Sequence, residues 1–289
     1  MANKIVKFNG KALSGPGSIG MVIVKKPEYT LPPMTLRFQF SDSNYDPSEE
    51  SFSQWFKGEW RKVESQYNQW DWTCDLTGDW SSIFTDAFTD PENLVSIIDA
   101  GDTFRVTDTS SMFMGCSSLV SIVLFDTSNV TYTSYMFEYC SSLENIPLFN
   151  TSNVTEMLHM FEGCSSLKIV PLFDTSNVTD MYCMFLECTK LESVPLFNTS
   201  NVTDMSMMFQ SCESLIEIPL FDTSSVESML ETFDGCYKVQ HGALALYQQV
   251  SSQQNPPNYH GACFENCGVD TETGRVELYE IPNSWGGWG

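Results

Sequence analysis

Positive charge is scarce in this chain: 14 Lys and Arg stand against 37 Asp and Glu in 289 residues, a net charge of −23. That balance excludes a nucleic-acid partner, because a phosphate backbone is held by a basic surface. Long apolar runs are missing too. No stretch approaches the ~18 uninterrupted apolar residues of a membrane-spanning helix. The opening MANKIVKFNGKALSGPG also lacks the roughly 7 to 15 apolar residues at the heart of a secretory leader. The chain is therefore expected to be made in the cytosol, without a cleaved leader and without membrane insertion. Histidine is rare, with only His159, His241 and His260, and none lies in a recognisable nucleophile motif. A P-loop, a G-x-S-x-G elbow and an H-E-x-x-H motif are absent. No catalysis and no cofactor is expected on these grounds, although a constellation assembled only in three dimensions stays open.

The few cations are unevenly placed. Lys4, Lys7, Lys11, Lys25 and Lys26 all precede the first acidic residue, Glu28. They read either as a solvated terminus or as a basic arm that anchors on an acidic partner.

What the chain has in abundance is a repeat, with 42% hydrophobic residues to build its core. The acceptor pattern NVT begins at Asn129, Asn153, Asn177 and Asn201, each 24 residues after the last. The residue before each TS keeps the same step: Asp126, Asn150, Asp174, Asn198 and Asp222. Behind it recurs Leu-x-x-Ile/Val-Pro-Leu-Phe, as in Leu143 to Phe149. A fixed period of this kind specifies a solenoid, in which one unit cannot bury its apolar face alone and stacked units can.

Two periodicities sit end to end in each unit. Leu143, Ile146 and Leu148 have the spacing of a leucine-rich-repeat strand. Val154, Met157, Met160, Phe161 and Cys164 fall on one helical face. The expected fold class is an α/β solenoid, a leucine-rich-repeat stack of short parallel strands and helical turns. Its expected divisions are a β-rich docking region over 1–73, a degenerate capping repeat over 74–101 in which Ile83, Phe84 and Leu94 echo the repeat, the solenoid over 102–239, and a C-terminal cap and tail over 240–289. Within the first, KIVKFNG and TLRFQF read as strands, SFSQWFKGEW as a short helix or buried edge, and QYNQWDWTC as the entry to the first coil. GALALYQQVSS suits a capping helix, and RVELYEIPNSWGGWG a strand and tail.

The string DTSNVTxMxxMFxxCxxLxxVPLF, as it runs up to Phe197, resembles the BspA-like leucine-rich repeat proteins, including the mycoplasma-lipoprotein repeat class. The resemblance implies a surface-exposed recognition scaffold and no enzyme. The flanks, Gly242 to Gln249 and Ile281 to Gly287, resemble those of structural proteins of tailed phages from gut bacteria. That likeness implies a virion surface protein, a fibre or decoration subunit synthesised in the host cytoplasm. Its N-terminal region would bind other virion structural proteins, its repeat would meet a host surface protein or glycan, and it would assemble as a homo-oligomer. A bacterial cell-surface adhesin is the alternative, and a carbohydrate-cleaving fibre enzyme a third.

Cys116, Cys140, Cys164, Cys188, Cys212 and Cys236 occupy one repeat position and are expected to form a reduced packing ladder. Cys263 and Cys267 stand apart in CFENC, with His260 nearby, and read as a buried pair or a local disulfide rather than a zinc site; Cys74 and Cys183 lie elsewhere. In the Asp126 to Asp222 ladder, the alternating Asn150 and Asn198 are expected to donate amides to neighbouring carboxylates, with a calcium site as the competing reading. Tyr132, Tyr135 and Tyr139, at variable positions between constant anchors, are the candidate recognition residues.

Overall fold

A computed structural model describes residues 107–289 apart from residue 125, and before them the backbones of four strands, β1 (Thr35–Phe40), β2 (Gly58–Glu64), β3 (Trp70–Leu76) and β4 (Leu94–Ala100). The expected strand in KIVKFNG, the basic positions Lys4, Lys7, Lys11, Lys25 and Lys26, and the echo at Ile83 and Phe84 lie outside the described residues.

These strands and β5 (Ser121–Ile122) make one sheet in the order β2-β3-β1-β4-β5. Its pairings are antiparallel except the last, where Ser96 of β4 lies opposite Ser121 of β5 in parallel. TLRFQF is a strand, as its alternation suggests. The reading of QYNQWDWTC as the entry to the first coil is corrected: Trp70–Leu76 is an interior strand between β2 and β1. Trp70, Trp72, Cys74 and Leu76 alternate there with Asp71, Thr73 and Asp75, the period of a strand. The GEW expected in a short helix or edge opens β2.

The repeat begins at the β4–β5 pairing and continues as single-residue parallel bridges in two columns. One column runs Asp108, Tyr132, Glu156, Asp180, Asp204, Ser228 and Tyr259, each bridged to the next. The other includes Ser121 with Asn145, Ile169 with Ser193, and Glu217 with His241.

Among the described residues no coil contains a helix, which corrects the expected helical turns. The amides of Met157, His159, Phe161 and Gly163 donate outward to Asp180, Tyr182, Met184 and Leu186 of the next coil, at 2.8 to 3.1 Å. Those between them close tight turns, Met160 to Met157, Glu162 to His159 and Cys164 to Phe161. His159 and Gly163 have φ of 53° and 69°. An α-helix would need negative φ throughout and bonds four residues back. The stacking distance explains the choice. Phe113, Phe137, Phe161, Phe185, Phe209, Phe233 and Phe264 form a column of rings with centroids 5.4 to 5.7 Å apart. Packed helices need about 8–10 Å between axes, whereas strand-like segments stack at roughly 4.8 Å. The face itself is legible all the same: Val154, Met157, Met160, Phe161 and Cys164 are all buried.

The expected strand over Leu143 to Phe149 also shrinks, to one bridge at Asn145 followed by a turn. Phe149, Phe173 and Phe221 donate their amides to Pro147, Pro171 and Pro219 two residues back, the bond of a γ-turn. Leucine at the centre of that turn points outward while the phenylalanine turns in. Leu148 is therefore 58% exposed and Phe149 is 3% exposed.

The C-terminal end is closed in two halves. Helix α1 (Ala243–Ser251) buries Ala243, Leu246 and Val250, and its Gln249 side chain donates to the Phe221 carbonyl at 2.6 Å. The segment 259–267 then resumes the coil. Phe233 and Gly235 donate to Cys263 and Glu265, and Phe264 stacks on Phe233. The expected strand in RVELYEIP is corrected to helix α2 (Glu272–Glu280), capped by Thr271 accepting from Gly274 at 3.0 Å. Trp285 follows in a short 3₁₀ turn, stacks on His260 and closes the ring column against Phe264.

Candidate functional site

The constant positions build the scaffold. The thiols of Cys140, Cys164, Cys188, Cys212 and Cys236 donate to the carbonyls of Phe113, Phe137, Phe161, Phe185 and Phe209, at 3.1 to 3.2 Å. All six cysteines of the column, and Cys263 and Cys267, are buried and free. Burial drives each of these thiols well up from its ordinary value. Cys267 takes the next rung of the column: Phe264-x-x-Cys267 repeats the spacing of Phe233-x-x-Cys236. CFENC does not stand apart but belongs to a further coil, delayed by the insertion of α1.

The Asp/Asn ladder works locally. Asp126, Asn150, Asp174, Asn198 and Asp222 each accept from the amide of the serine two residues on, at 2.9 to 3.2 Å. One side-chain oxygen of each ladder residue is thus engaged within its own coil, in an Asx turn. Contact between coils comes from neighbours. Thr127, Thr151, Thr175 and Thr199 donate to backbone carbonyls at Asn150, Asp174, Asn198 and Asp222. Asn153, Asn177 and Asn201 of the NVT triplets donate to Ser128, Ser152 and Ser176, each at 2.7 Å; Asn129 is the first of the four triplets.

The variable positions collect chemistry at the edge formed by the tight turns. Tyr135, His159, Cys183 and Met207 share one repeat position in successive coils, all with φ between 53° and 62°. The Tyr135 ring stacks on His159 at 4.7 Å, and Tyr182 meets the other side of His159 edge-on at 5.1 Å. His159 Nδ1 bonds Glu162 Oε2, while Tyr139 donates its hydroxyl to Glu162 Oε1 at 2.8 Å. Cys183 Sγ lies 4.0 Å from Met207 Sδ, and Tyr182 points its hydroxyl to that same sulfur at 3.8 Å. Of the candidate recognition residues, Tyr132 and Tyr139 are exposed, whereas Tyr135 is half-buried in this stack.

A family model for "Mycoplasma protein of unknown function, DUF285" matches residues 81–170 and again 141–245, together more than half of the chain. The chain belongs to this family. No curated protein matches it. Among solved structures, a leucine-rich repeat protein from Eubacterium ventriosum is similar at 18% identity and a TM-score of 0.39, over 61% of this chain and 46% of that one. The chain thus spans less than half of that protein's length.

The edge cluster lies at positions that differ from coil to coil, as at Tyr135, His159, Cys183 and Met207. Its electrostatics are those of crowded negative charge. Burial, then the neighbouring Glu162, raises the Glu138 carboxyl. The bond to Glu162 pushes the Tyr139 phenol up to about 12. Burial works to raise Glu162 as well, but the bonds from His159 and Tyr139 outweigh it and hold its carboxyl below the usual value. A thiol, an imidazole and a carboxylate together are the parts of a nucleophilic triad, yet burial pushes Cys183 up to about 12, against the thiolate such chemistry needs.

Glu138, Glu162, Tyr182 and Met207 carry no motif in sequence. The signal that finds Met207 is the period itself: aligned at 24 residues, Tyr135, His159, Cys183 and Met207 fall in one column.

Proposed function

We propose that this DUF285 protein is a non-enzymatic scaffold that presents its repeat for recognition at an exposed surface. The observation that carries the reading is a row of leucines, one per coil: Leu124, Leu148, Leu172, Leu196 and Leu220 are 53 to 60% exposed. At a coil spacing of roughly 4.8 Å, the row is a continuous apolar ridge. Contiguous apolar surface of this kind marks an interaction site, unlike leucines scattered singly. The ridge suits a surface protein of a host cell, and exposed Tyr132 and Tyr139 suit a glycan.

In its finer form the proposal sets this surface on a virion, with the N-terminal region and its lysines holding the subunit, as a homo-oligomer, to other structural proteins. The resemblance of the flanking segments supports that form, and display on a bacterial cell surface is its alternative. The ridge is tested by changing Leu148, Leu172 and Leu196 together to Ser. Binding to host cells is expected to fall at least tenfold with the thermal melt unchanged; undiminished binding refutes the ridge as the contact. Antibody labelling of purified particles tests the virion placement.

A further inference from the structure

The edge cluster contains the donor set of a transition-metal site. One ligand atom each from His159, Glu162 and Cys183 lie within 4.8 Å of one another. Ligands around tetrahedral zinc sit about 3.5 Å apart, given bond lengths of roughly 2.0–2.3 Å, so small side-chain rotations bring the three to a common ion. We propose that His159, Glu162 and Cys183 bind one zinc ion, with a fourth position open on the side lined by Met207.

Four features favour an ion over an ordinary surface cluster. The donors are an imidazole nitrogen, a carboxylate oxygen and a thiol sulfur, the mixture zinc takes and calcium or magnesium does not. Their supports are already in place: Tyr135 fixes the plane of the His159 ring by stacking, and Tyr139 holds the second oxygen of Glu162. Such outer partners orient the ligands of a metal centre. His159 and Cys183 also reach one point because they occupy the same turn position in adjacent coils, both with positive φ, at 53° and 56°. Finally, Glu138 lies within electrostatic reach of both Glu162 and His159. It is only 7% exposed, and its Oε2 is buried without a hydrogen-bond partner. A buried carboxylate oxygen left unpaired is costly, and a cation beside it compensates that cost. On binding, zinc takes the Cys183 sulfur as thiolate and the thiol proton leaves to solvent. The hydrogen bond between His159 and Glu162 gives way to the ion, and the imidazole and the carboxylate ligate in their unprotonated forms.

Cobalt(II) serves as the optical probe for the same ligand set. Titrated into the full reduced chain, one equivalent is expected to produce a thiolate-to-cobalt charge-transfer band, which zinc then removes. Cys183→Ser should abolish the band. His159→Gln and Glu162→Gln should each weaken cobalt binding at least tenfold. Zinc should raise the melting temperature of the unaltered chain and not that of the Cys183→Ser chain. Absence of the band in the unaltered chain overturns the proposal. So does its persistence in Cys183→Ser, which would move the metal to other thiols. If Cys183→Ser does not fold, His159→Gln decides, since that ring is part-buried and outside the continuous core; unchanged cobalt affinity there overturns the site equally.

Discussion

Replacing Glu187 by Gly and, separately, by Ala distinguishes a left-handed turn from a helix by the sign of one difference. Glu187 has φ of 59° and is exposed, and its position is filled by Gly115, Gly163 and Gly235 in other coils. Its amide donates to the Gln210 carbonyl at 2.9 Å, and its carbonyl accepts from Thr189 at 2.8 Å. Both substitutions remove the same carboxylate and leave these backbone bonds, so only the Cβ differs. A Cβ in the left-handed region costs roughly 1–2 kcal/mol. The greater freedom of glycine in the unfolded chain offsets roughly 0.5–1 kcal/mol of that. Glu187→Gly is therefore expected to be more stable than Glu187→Ala by about 0.5–1 kcal/mol. In a helix the order reverses, with alanine ahead by about 0.8–1.0 kcal/mol. Urea unfolding of the two chains, compared by midpoint at unchanged slope, measures the difference. An alanine chain as stable as the glycine chain, or more so, refutes the turn geometry.

Phe185 is fully buried, with rings of Phe161 and Phe209 stacked 5.5 Å to either side and Phe197 at 6.2 Å. Phe185→Ala should lose about 4–6 kcal/mol, the cavity and the two stacked contacts together. Hydrogen exchange should speed in the adjoining coils more than in α2, and a loss below about 2 kcal/mol counts against a continuous core. Asp174 should titrate below the ordinary carboxylate value, because the Ser176 hydroxyl and then its amide bond the ionised oxygen. A carboxyl depressed in the folded state contributes stability above its unfolded value, and loses it as pH falls through the lowered one. Carboxyl NMR should show Ser176→Ala returning Asp174 toward the ordinary value; no movement would remove the hydroxyl as the cause.

How much of this was legible in sequence depends on whether a feature repeats. A step of 24 residues, held from Asn129 to Asn201, was enough to determine a stack of coils and the identity of its core: Val154, Met157, Met160, Phe161 and Cys164 are buried whatever path connects them. Burial depends on which residues recur together, and the period displays that directly. Conformation was not legible. The same offsets suit a helix and a chain of tight turns, and the choice falls to bonds between residues 23 apart, such as Met157 to Asp180. Rings stacking at 5.4 to 5.7 Å leave no room for helices side by side. The outward Leu148 follows from a γ-turn that the leucine-rich-repeat spacing does not distinguish from a strand. The edge cluster was half legible: the column Tyr135, His159, Cys183 and Met207 is written in the period, whereas Glu162 joins it only because His159 and Tyr139 turn toward it. A sequence lists what each coil contributes. Only the stacking decides which contributions meet, because contacts such as Tyr139 with Glu162 and Cys183 with Met207 form across coils.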